Sequence, residues 1–445
     1  MTVFPNARAS SSSPILLALV MTILFVSTAE ARTEVGYDPT FGTNGLVTAE
    51  LGPDNLSPIV SSKSLLRDHR GRIVVGEAND NGWQVRRYFS NGNLDPSFGD
   101  GGKVVIESWG GNNWSTGANL ASAALRPDGR ILLVGFVRPG SGQTSYMVLK
   151  QLLPDGSPDT SFGWIDGGLN FGAGNGAVST ALRPDGRIVI GGFSELTSTG
   201  SGYNGVVIGL TADGNRDPSF RGGESIVIPG DGSKSSYFPD VEVLPNGQIL
   251  AAGTKANRFL VIKLRKDGNY VPSFGKNGRA VFGKDCRCSI ARAMDRDSKG
   301  RIVVTGQVRG PNDDKAGYGL TVRFKANGDL DRSFGNDGLV RLYATSRTGS
   351  NTTNLYDTTI DSKGGIWVTG SAGPEFNGNR RAVTARYLPS GKLDKRFFKK
   401  GKLITRLGES SVASQVLALG RQIYLSGRYK TGGTDRLFLR RFVSR

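Results

Sequence analysis

The stretch DPSFGDGGKVV, residues 95–105, decides the fold because related copies of it occur seven times along the 445-residue chain. In each copy an Asp, or the residue that replaces it, precedes a Phe by three positions, and a turn then leads into an apolar run. The aromatic residues of the seven copies are Phe41, Phe98, Phe162, Phe220, Phe274, Phe334 and Phe397. Successive copies are 54 to 64 residues apart. This regular spacing indicates a tandem-repeat architecture.

Two further phrases alternate with the first one. RPDGRILLVGF begins at Arg126 and RPDGRIVIGGF at Arg183, while MVLKQLLPDG begins at Met147. Each unit therefore contains four β-rich apolar runs separated by Asp-Gly, Asn-Gly or Lys-Gly dipeptides, which favour tight hairpin turns. Four antiparallel strands in each of seven tandem units predict an all-β protein, a seven-bladed β-propeller.

The two ends of the repeat array predict how the ring closes. The first copy starts partway through a unit, at Asp38, and the last unit stops after its third strand, RLFLRRFV. We expect residues 46–51 to pair with 436–443, so that residues 37–51 complete the last blade together with 408–445 and hide both sheet edges. The innermost strand of each blade would then be the one before the Gly-Arg-Ile turn. The alternative places the strand after Ser-Phe-Gly innermost and has no shared blade.

The N-terminus carries a candidate targeting segment. Residues 15–26 are apolar apart from Thr22, Arg8 precedes them, and Ala29-Glu30-Ala31 follows. This pattern predicts a signal peptide over residues 1–31, a single propeller over 32–445, and a secreted or periplasmic protein. An uncleaved N-terminal anchor is the alternative.

The recurring pattern DG-x-x-D-x-SFG-x-x-G resembles the delta-60 repeat of exported bacterial proteins, and the resemblance covers essentially all of the chain after the targeting segment. It implies a β-propeller related to NHL-type blades and export from the cytoplasm, but no general activity. The pattern departs from the repeat at Val271, where Asp is lost, and at Arg396-Phe397-Phe398, where Ser and Gly are lost.

The recurring acids have two interpretations. Asp95, Asp159, Asp217 and Asp331 could bind Ca²⁺, or their carboxylates could accept hydrogen bonds from backbone N–H groups within a turn. The change to Val271 favours the structural role, because a required ligand could not be lost in one unit.

The residue types present exclude several kinds of chemistry. The single histidine, His69, lies in a predicted turn and is interpreted as a turn residue, with a catalytic role as the alternative. Without a second histidine no multi-His zinc site can form, and we expect no metal or cofactor. Carboxylate chemistry remains open through acids outside the repeat pattern, which could make the protein a lyase or hydrolase of extracellular polymers. These acids are Glu195, Asp240, Glu242, Asp313, Asp314 and Glu375. Cys286 and Cys288 are interpreted as a local disulfide, with inert thiols or a redox or metal role as alternatives.

Charge is distributed unevenly along the chain. Residues 1–222 contain 17 Lys+Arg and 19 Asp+Glu, whereas residues 223–445 contain 39 and 19, so the formal net charge of +18 belongs to the second half. We expect a binding or scaffold protein whose basic sector contacts an acidic glycan or envelope polymer, and no nucleic-acid target. The candidate ligand-binding residues are Arg380, Arg381, Arg386, Lys395, Arg396, Lys399, Lys400, Lys402, Arg440 and Arg441. A solvated surface without a ligand is the alternative.

Overall fold

The computed structural model describes residues 35–52, 63–79, 82–107, 118–137, 145–162, 165–166, 174–195, 202–231, 234–283, 289–309, 317–344, 351–374, 379–398 and 400–444. Several sequence predictions lie outside these residues and stay predictions. They concern the signal segment 1–31, the Cys286–Cys288 disulfide, Lys399, and the acids Asp313, Asp314 and Glu375.

The described residues form 29 β-strands and one short 3-10 turn at Arg221–Gly223. The strands are β1 (Val35–Tyr37), β2 (Leu46–Gly52), β3 (Leu65–Arg67), β4 (Ile73–Asn79), β5 (Gly82–Tyr88), β6 (Lys103–Glu107), β7 (Ala118–Leu125), β8 (Ile131–Val137), β9 (Tyr146–Leu152), β10 (Ile165–Asp166), β11 (Asn175–Leu182), β12 (Ile188–Glu195), β13 (Tyr203–Leu210), β14 (Ile226–Ile228), β15 (Ser236–Val243), β16 (Ile249–Lys255), β17 (Arg258–Leu264), β18 (Arg279–Phe282), β19 (Ser289–Arg296), β20 (Ile302–Val308), β21 (Tyr318–Phe324), β22 (Leu339–Leu342), β23 (Asn351–Ile360), β24 (Ile366–Pro374), β25 (Arg381–Tyr387), β26 (Lys402–Thr405), β27 (Ser410–Leu419), β28 (Gln422–Thr431) and β29 (Thr434–Ser444). In the part of the chain that the structure describes, no helix is long and apolar enough to span a membrane.

The strands form seven antiparallel sheets, which confirms the predicted seven-bladed propeller. Blades 1 to 6 are the successive four-stranded sheets β3–β6, β7–β10, β11–β14, β15–β18, β19–β22 and β23–β26. Blade 7 combines β27, β28 and β29 with both N-terminal strands. The ring is therefore closed by the N-terminal segment, as the ends of the repeat array predicted.

The closing blade contains one strand more than the sequence predicted. In β2, Leu46 lies opposite Arg440 of β29 and Glu50 lies opposite Arg436. The preceding strand β1 pairs with the far end of the same edge, where Val35 lies opposite Ser444. The N-terminal segment covers this edge as two strands because the first Asp-Pro-Thr-Phe-Gly turn lies between them.

The first strand of each blade lies at the propeller axis, which supports the predicted frame over its alternative. Lys63 of blade 1 donates its amide to the Ala121 carbonyl of β7, and Ala123 donates back to the Lys63 carbonyl. The fourth strands lie at the outer edge, where the side chains of Val227 and Val281 are about half exposed.

A glycine in the second strand of the blade allows the backbone of the first strand to approach closely. A Cβ atom on Gly135 would lie 1.9 Å from the Asn119 carbonyl oxygen, and one on Gly370 would lie 1.9 Å from the Asn354 carbonyl oxygen. The first strand carries a β-bulge next to each crossing, between Leu120 and Ser122 in blade 2. The bulge sets the direction of the axial side chains described below.

The two faces of the ring carry different connections. In an antiparallel sheet, the turn between the first and second strands and the loop between the third and fourth strands lie at the same end. The Gly-Arg-Ile turns and the Ser-Phe-Gly loops therefore share one side, which we call the motif face. The other connections form the opposite face.

Candidate functional site

The repeated Asp of the Ser-Phe-Gly loop organises a turn in the structure, as predicted. The Asp95 Oδ1 atom accepts hydrogen bonds from the Ser97 backbone N–H (3.1 Å) and hydroxyl (2.6 Å). Its Oδ2 atom lies 2.7 Å from Nε of Arg87, whose guanidinium lies 4.4 Å from the centre of the Phe98 ring. Burial opposes the ionised form of Asp95, but the hydrogen bonds from Ser97 and the Arg87 cation outweigh it and lower the pKa of Asp95 to about 2.

The same arrangement recurs in other blades. Ser161, Ser219 and Ser333 donate to Asp159, Asp217 and Asp331 in the same manner. In blade 5, Nε of Arg323 lies 2.8 Å from Oδ2 of Asp331, and its guanidinium lies 4.5 Å from the Phe334 ring centre. These contacts confirm the structural interpretation of the repeated acids.

A buried arginine also joins most neighbouring blades on the motif face, and we call this contact the arginine clasp. Its guanidinium donates to the carbonyl that precedes the Asp-Gly or related dipeptide in the next blade. The donor and acceptor pairs are Arg87 with Pro154, Arg126 with Ala212, Arg183 with Lys266, Arg323 with Pro389, and Arg441 with Ser90. Among the described residues, no such clasp joins blade 4 to blade 5. In blade 6, Arg386 instead pairs with Asp361 and Asp394 of its own blade.

Four charged side chains meet near the propeller axis, and we call them the axial cluster: Lys63, Asp240, Asp295 and Asp357. The Lys63 Nζ atom lies 2.5 Å from Oδ2 of Asp240 and donates to the Met294 carbonyl at 3.2 Å. Asp240 and Asp357 are almost fully buried, whereas the Lys63 side chain is about one-third exposed.

Each acid of the axial cluster also binds a backbone N–H of the next blade. Asp240 accepts from Met294 at 2.5 Å, Asp295 from Ile360 at 2.6 Å, and Asp357 from Val416 at 2.8 Å. In blades 2 and 7, neutral side chains make the corresponding contacts. Ser122 accepts from the Thr180 amide, and Gln415 accepts from the Ser64 amide. These side chains tie neighbouring blades together at the axis.

The pKa values of all four side chains in the axial cluster are shifted. Burial raises the pKa of Asp357 to about 7, although Lys63 and hydrogen bonds act in the opposite direction. Burial likewise raises the pKa of Asp240 and of Asp295. For Lys63, burial disfavours the ammonium form, but Asp240, Asp357 and Asp295 together outweigh it and raise its pKa.

The off-pattern acids that lie within the described residues have different environments. Asp240 belongs to the axial cluster, and Glu242 on the same strand binds Arg296, with Oε1 3.1 Å from Nη2. Burial raises the pKa of Glu242, and Asp295 and Asp240 contribute to that increase, so Glu242 adjoins the axial cluster. Glu195 is half-buried at the end of β12.

Sequence reasoning missed Lys63, Asp295 and Asp357. Lys63 lies outside every repeated phrase, so only the closed ring places it beside blade 4. Asp357 could have been recognised because it stands directly after the β-bulge of β23, where the equivalent residues of blades 2 and 3 are Ser122 and Ser179. His69 is exposed in a turn, as predicted. The described residues contain no group of three His, Cys, Asp or Glu side chains that could hold a metal ion.

The structure separates the nine described residues of the predicted polyanion-binding set rather than bringing them together. Arg386, Arg440 and Arg441 are buried: the first and last form ion pairs with Asp394 and Asp38, and the guanidinium of Arg440 stacks 4.5 Å over the Tyr37 ring.

Other members of that set are only partly available. Arg380 donates to the Tyr356 hydroxyl, and Lys402 donates to the Tyr343 carbonyl. Arg396 is exposed but pairs with Asp394. Arg381 is exposed at the end of β25 that lies at the opposite face.

Eight exposed lysines of the motif face form no ion pair with the described residues, and we call this group the basic face. Lys395 and Lys400 of the predicted set belong to it. The eight lysines, all in blades 4 to 6, are Lys266, Lys276, Lys299, Lys325, Lys363, Lys392, Lys395 and Lys400.

Few acids oppose the basic face. Among the described residues of the motif face in blades 4 to 6, the exposed acids are Asp329 and Asp337, and Asp337 pairs with Arg332. In blades 1 to 3 the same face exposes six acids. These are Asp100, Asp128, Asp155, Asp185, Asp213 and Glu224.

Comparison with known proteins supports the propeller repeat. A family model described as "Domain of unknown function (DUF5122) beta-propeller" matches residues 71–98, 126–162 and 183–220, within blades 1 to 3. No curated protein matches the chain significantly.

Several solved structures are similar to the chain at low sequence identity. A protein of unknown function from Dyadobacter fermentans is 12% identical, with 89% of this chain and 99% of that chain covered and a TM-score of 0.44. An α-L-arabinanase from Penicillium chrysogenum is 11% identical, with coverages of 89% and 97% and a TM-score of 0.44. A glucose dehydrogenase is 12% identical, with coverages of 73% and 96% and a TM-score of 0.43. The family match together with the seven blades identifies the chain as a propeller repeat protein.

Proposed function

We propose that this protein is an exported propeller that binds acidic polymers of the cell envelope or extracellular matrix through the basic face. The observation that carries the proposal is the group of eight exposed lysines without ion-pair partners among the described residues. Its export, and its assignment to delta-60-type repeats, belong to the same proposal and are supported by the targeting pattern and the repeated motif.

The arrangement of charge supports binding to a polymer rather than to a small ion. The lysines occupy successive loops of three neighbouring blades, so a chain lying across the motif face would contact several of them at once. Multivalent contacts of this kind release counterions from a polyanion, and their strength falls steeply with salt.

The proposal can be tested by measuring binding to immobilised polygalacturonate and dextran sulfate over a salt series, with neutral dextran as the reference. We expect binding to the acidic polymers alone, with affinity decreasing by at least about tenfold between low and physiological ionic strength. The triple variant K392E/K395E/K400E should lower the affinity at low salt by at least about tenfold.

A matched variant controls for net charge. Lys234, Arg258 and Lys430 are exposed cations of the opposite face, so K234E/R258E/K430E changes the total charge by the same amount. We expect it to lower the affinity much less than the basic-face triple. Equal losses in the two triple variants, or binding that does not respond to salt, would contradict the proposal.

The alternative, a lyase or hydrolase that uses axial carboxylates, has weaker support. The pKa of Asp357 near 7 would suit a general acid or base. However, each axial acid already binds a backbone N–H of the next blade, and neutral Ser122 and Gln415 make the same kind of contact elsewhere in the ring. The contacts of the axial cluster are thus explained by its structural role.

A further inference from the structure

A cavity of about 310 Å³ lies between blades 4 and 5 on the motif face. The first turn of blade 4 contributes Leu244, Asn246 and Gln248, and its third strand contributes Lys263. Blade 5 contributes residues that include Arg296 and Ala326. The volume of the cavity is at the lower end of the range of roughly 300–1,000 Å³ that is typical of small-ligand sites.

The cavity occupies the place where other junctions hold an arginine clasp. Lys263 precedes Val271 by eight residues, as Arg87 precedes Asp95 and Arg323 precedes Asp331. Ala326 stands before Asn327-Gly328, at the position of the carbonyls that accept the clasps.

Blade 4 lacks both partners of the clasp. Lysine replaces the arginine, and valine replaces the aspartate that would neutralise it. Leu244 and Gln248 also stand where blade 2 has Arg126 and Arg130. The space between the blades therefore stays open, and the neighbouring strands keep their repeat geometry, since Phe274 is still buried.

The charges that line the cavity are predominantly positive. Lys263 is half-buried and forms no ion pair with the described residues. Burial lowers the pKa of Lys263, and the neighbouring Arg296 cation lowers it further. Arg296 is paired through Nε and Nη2 with Oε1 of Glu242, both at 3.1 Å. Two cations thus face a cavity in which a single acid offsets one of them.

We propose that this cavity binds an oxyanion carried on a unit the size of one sugar. Lys263 and Arg296 would attract the anionic group. The Lys263 Nζ atom lies 5.9 Å from the centre of the Phe274 ring but has no ion-pair partner among the described residues, so it gains most from an opposite charge in this partly desolvated site. The Asn246 side-chain amide donates to Gln248 Oε1 at 3.1 Å, and the remaining N–H groups of the two amides can donate to hydroxyl groups. Leu244, Leu250 and Ile302 provide an apolar wall for the ring.

The position of the cavity connects it to the basic face. Lys299 and Lys325 are adjacent in sequence to the lining residues Gly300 and Ala326. A polymer that lies on the basic face could therefore place one anionic unit into the cavity. This inference rests on the proposed function only for the choice of a sugar as carrier of the charge.

The test is to titrate the purified protein by calorimetry with glucuronate, glucose 6-sulfate and glucose 6-phosphate, using glucose as the neutral reference. We expect at least one anionic sugar to bind at least about tenfold more tightly than glucose. The three anions distinguish a carboxylate site from a sulfate or phosphate site.

Two variants remove the positive charge of the cavity in different ways. K263M deletes the ammonium with little change in side-chain length, and V271D supplies the acid that other blades use to neutralise this position. Each should lower the affinity for the anionic sugar by at least about tenfold. R258M removes an exposed cation of the same blade at the opposite face, away from the cavity, so its affinity should stay within about twofold of the wild-type value.

The outcomes are separable from those of the polymer experiment. The K392E/K395E/K400E variant should bind the single anionic sugar almost as well as the wild type, even where it loses the polymer. The inference is overturned if no anionic sugar binds more tightly than glucose, or if folded K263M and V271D retain wild-type affinity.

Discussion

The junction between blades 1 and 2 and the junction between blades 4 and 5 are built from the same repeat, yet one holds a buried guanidinium and the other a cavity. At the first junction, Arg87 binds Asp95 of its own blade and the Pro154 carbonyl of the next. At the second junction, Lys263 and Val271 occupy the two side-chain positions. At the first junction the repeated Asp and the arginine thus act as one structural unit, because burying a guanidinium is costly unless opposite charge and hydrogen bonds compensate it.

The largest expected effect comes from removing a clasp. R87M would leave Asp95 buried without one of its cationic partners and would delete the contact to blade 2. We expect it to lower the free energy of unfolding by about 3 kcal/mol. The measurement is chemical denaturation at neutral pH.

The control for this experiment is the same change at the equivalent position of blade 4. K263M breaks no ion pair within the described structure, so it should lower the free energy of unfolding by less than about 1 kcal/mol. Equal costs for R87M and K263M would show that the two junctions are energetically alike.

The next largest effect concerns pH: the buried acids Asp95 and Asp357 should make stability depend on pH in opposite directions. The pKa of Asp95 is lowered to about 2, so its contribution to stability is present above about pH 4 and is lost as the pH falls towards 2. The pKa of Asp357 is raised to about 7, so its ionisation destabilises the fold as the pH rises from about 4 to 7. Unfolding curves of the wild type, D95N and D357N over this pH range measure both contributions.

As the pH falls from about 4 towards 2, we expect the free energy of unfolding of the wild type to fall by about 2 kcal/mol relative to that of D95N. Between about pH 4 and 7, the free energy of unfolding of the wild type should fall relative to that of D357N by at most about 1.4 kcal/mol per pH unit. Parallel pH profiles for the wild type and either variant would mean that the folded environment does not shift the pKa of that acid.

The smallest expected effect comes from rebuilding the missing clasp. The double variant K263R/V271D restores both residues that the repeat pattern places there, with the Ala326 carbonyl within the same junction as acceptor. We expect a gain of about 1 kcal/mol in the free energy of unfolding, because the ion pair forms in a partly open site. A loss of stability would show that the clasp depends on further residues of its junction, such as Arg72 beside Asp95.

The repeat pattern predicted most of the architecture. The seven phrases specified the number of blades, and the incomplete first and last units specified how the ring closes. Strand order and turn positions follow from local alternation and glycine placement, which are written into contiguous residues. The loss of the repeated Asp at Val271 also lies in a unit that forms no clasp with the next blade among the described residues.

The candidate site was less predictable because its contacts are not local. The sequence shows an excess of cations in blades 4 to 7, but it does not show which of them are buried. Arg386 and Arg441 form buried ion pairs, whereas Lys392 and Lys400 are exposed to solvent. Residue type alone does not predict whether a cation is buried and paired or exposed, since this depends on the position of an acid in a neighbouring turn or strand.

The sequence by itself determined a closed ring of seven like sheets, because hairpin geometry and apolar alternation are local properties repeated along the chain. Only the tertiary structure decided that Lys63 lies beside Asp240 and that a cavity opens beside Lys263. Both features arise when ring closure brings distant segments within a few ångströms, where burial and charge depend on the assembled neighbours.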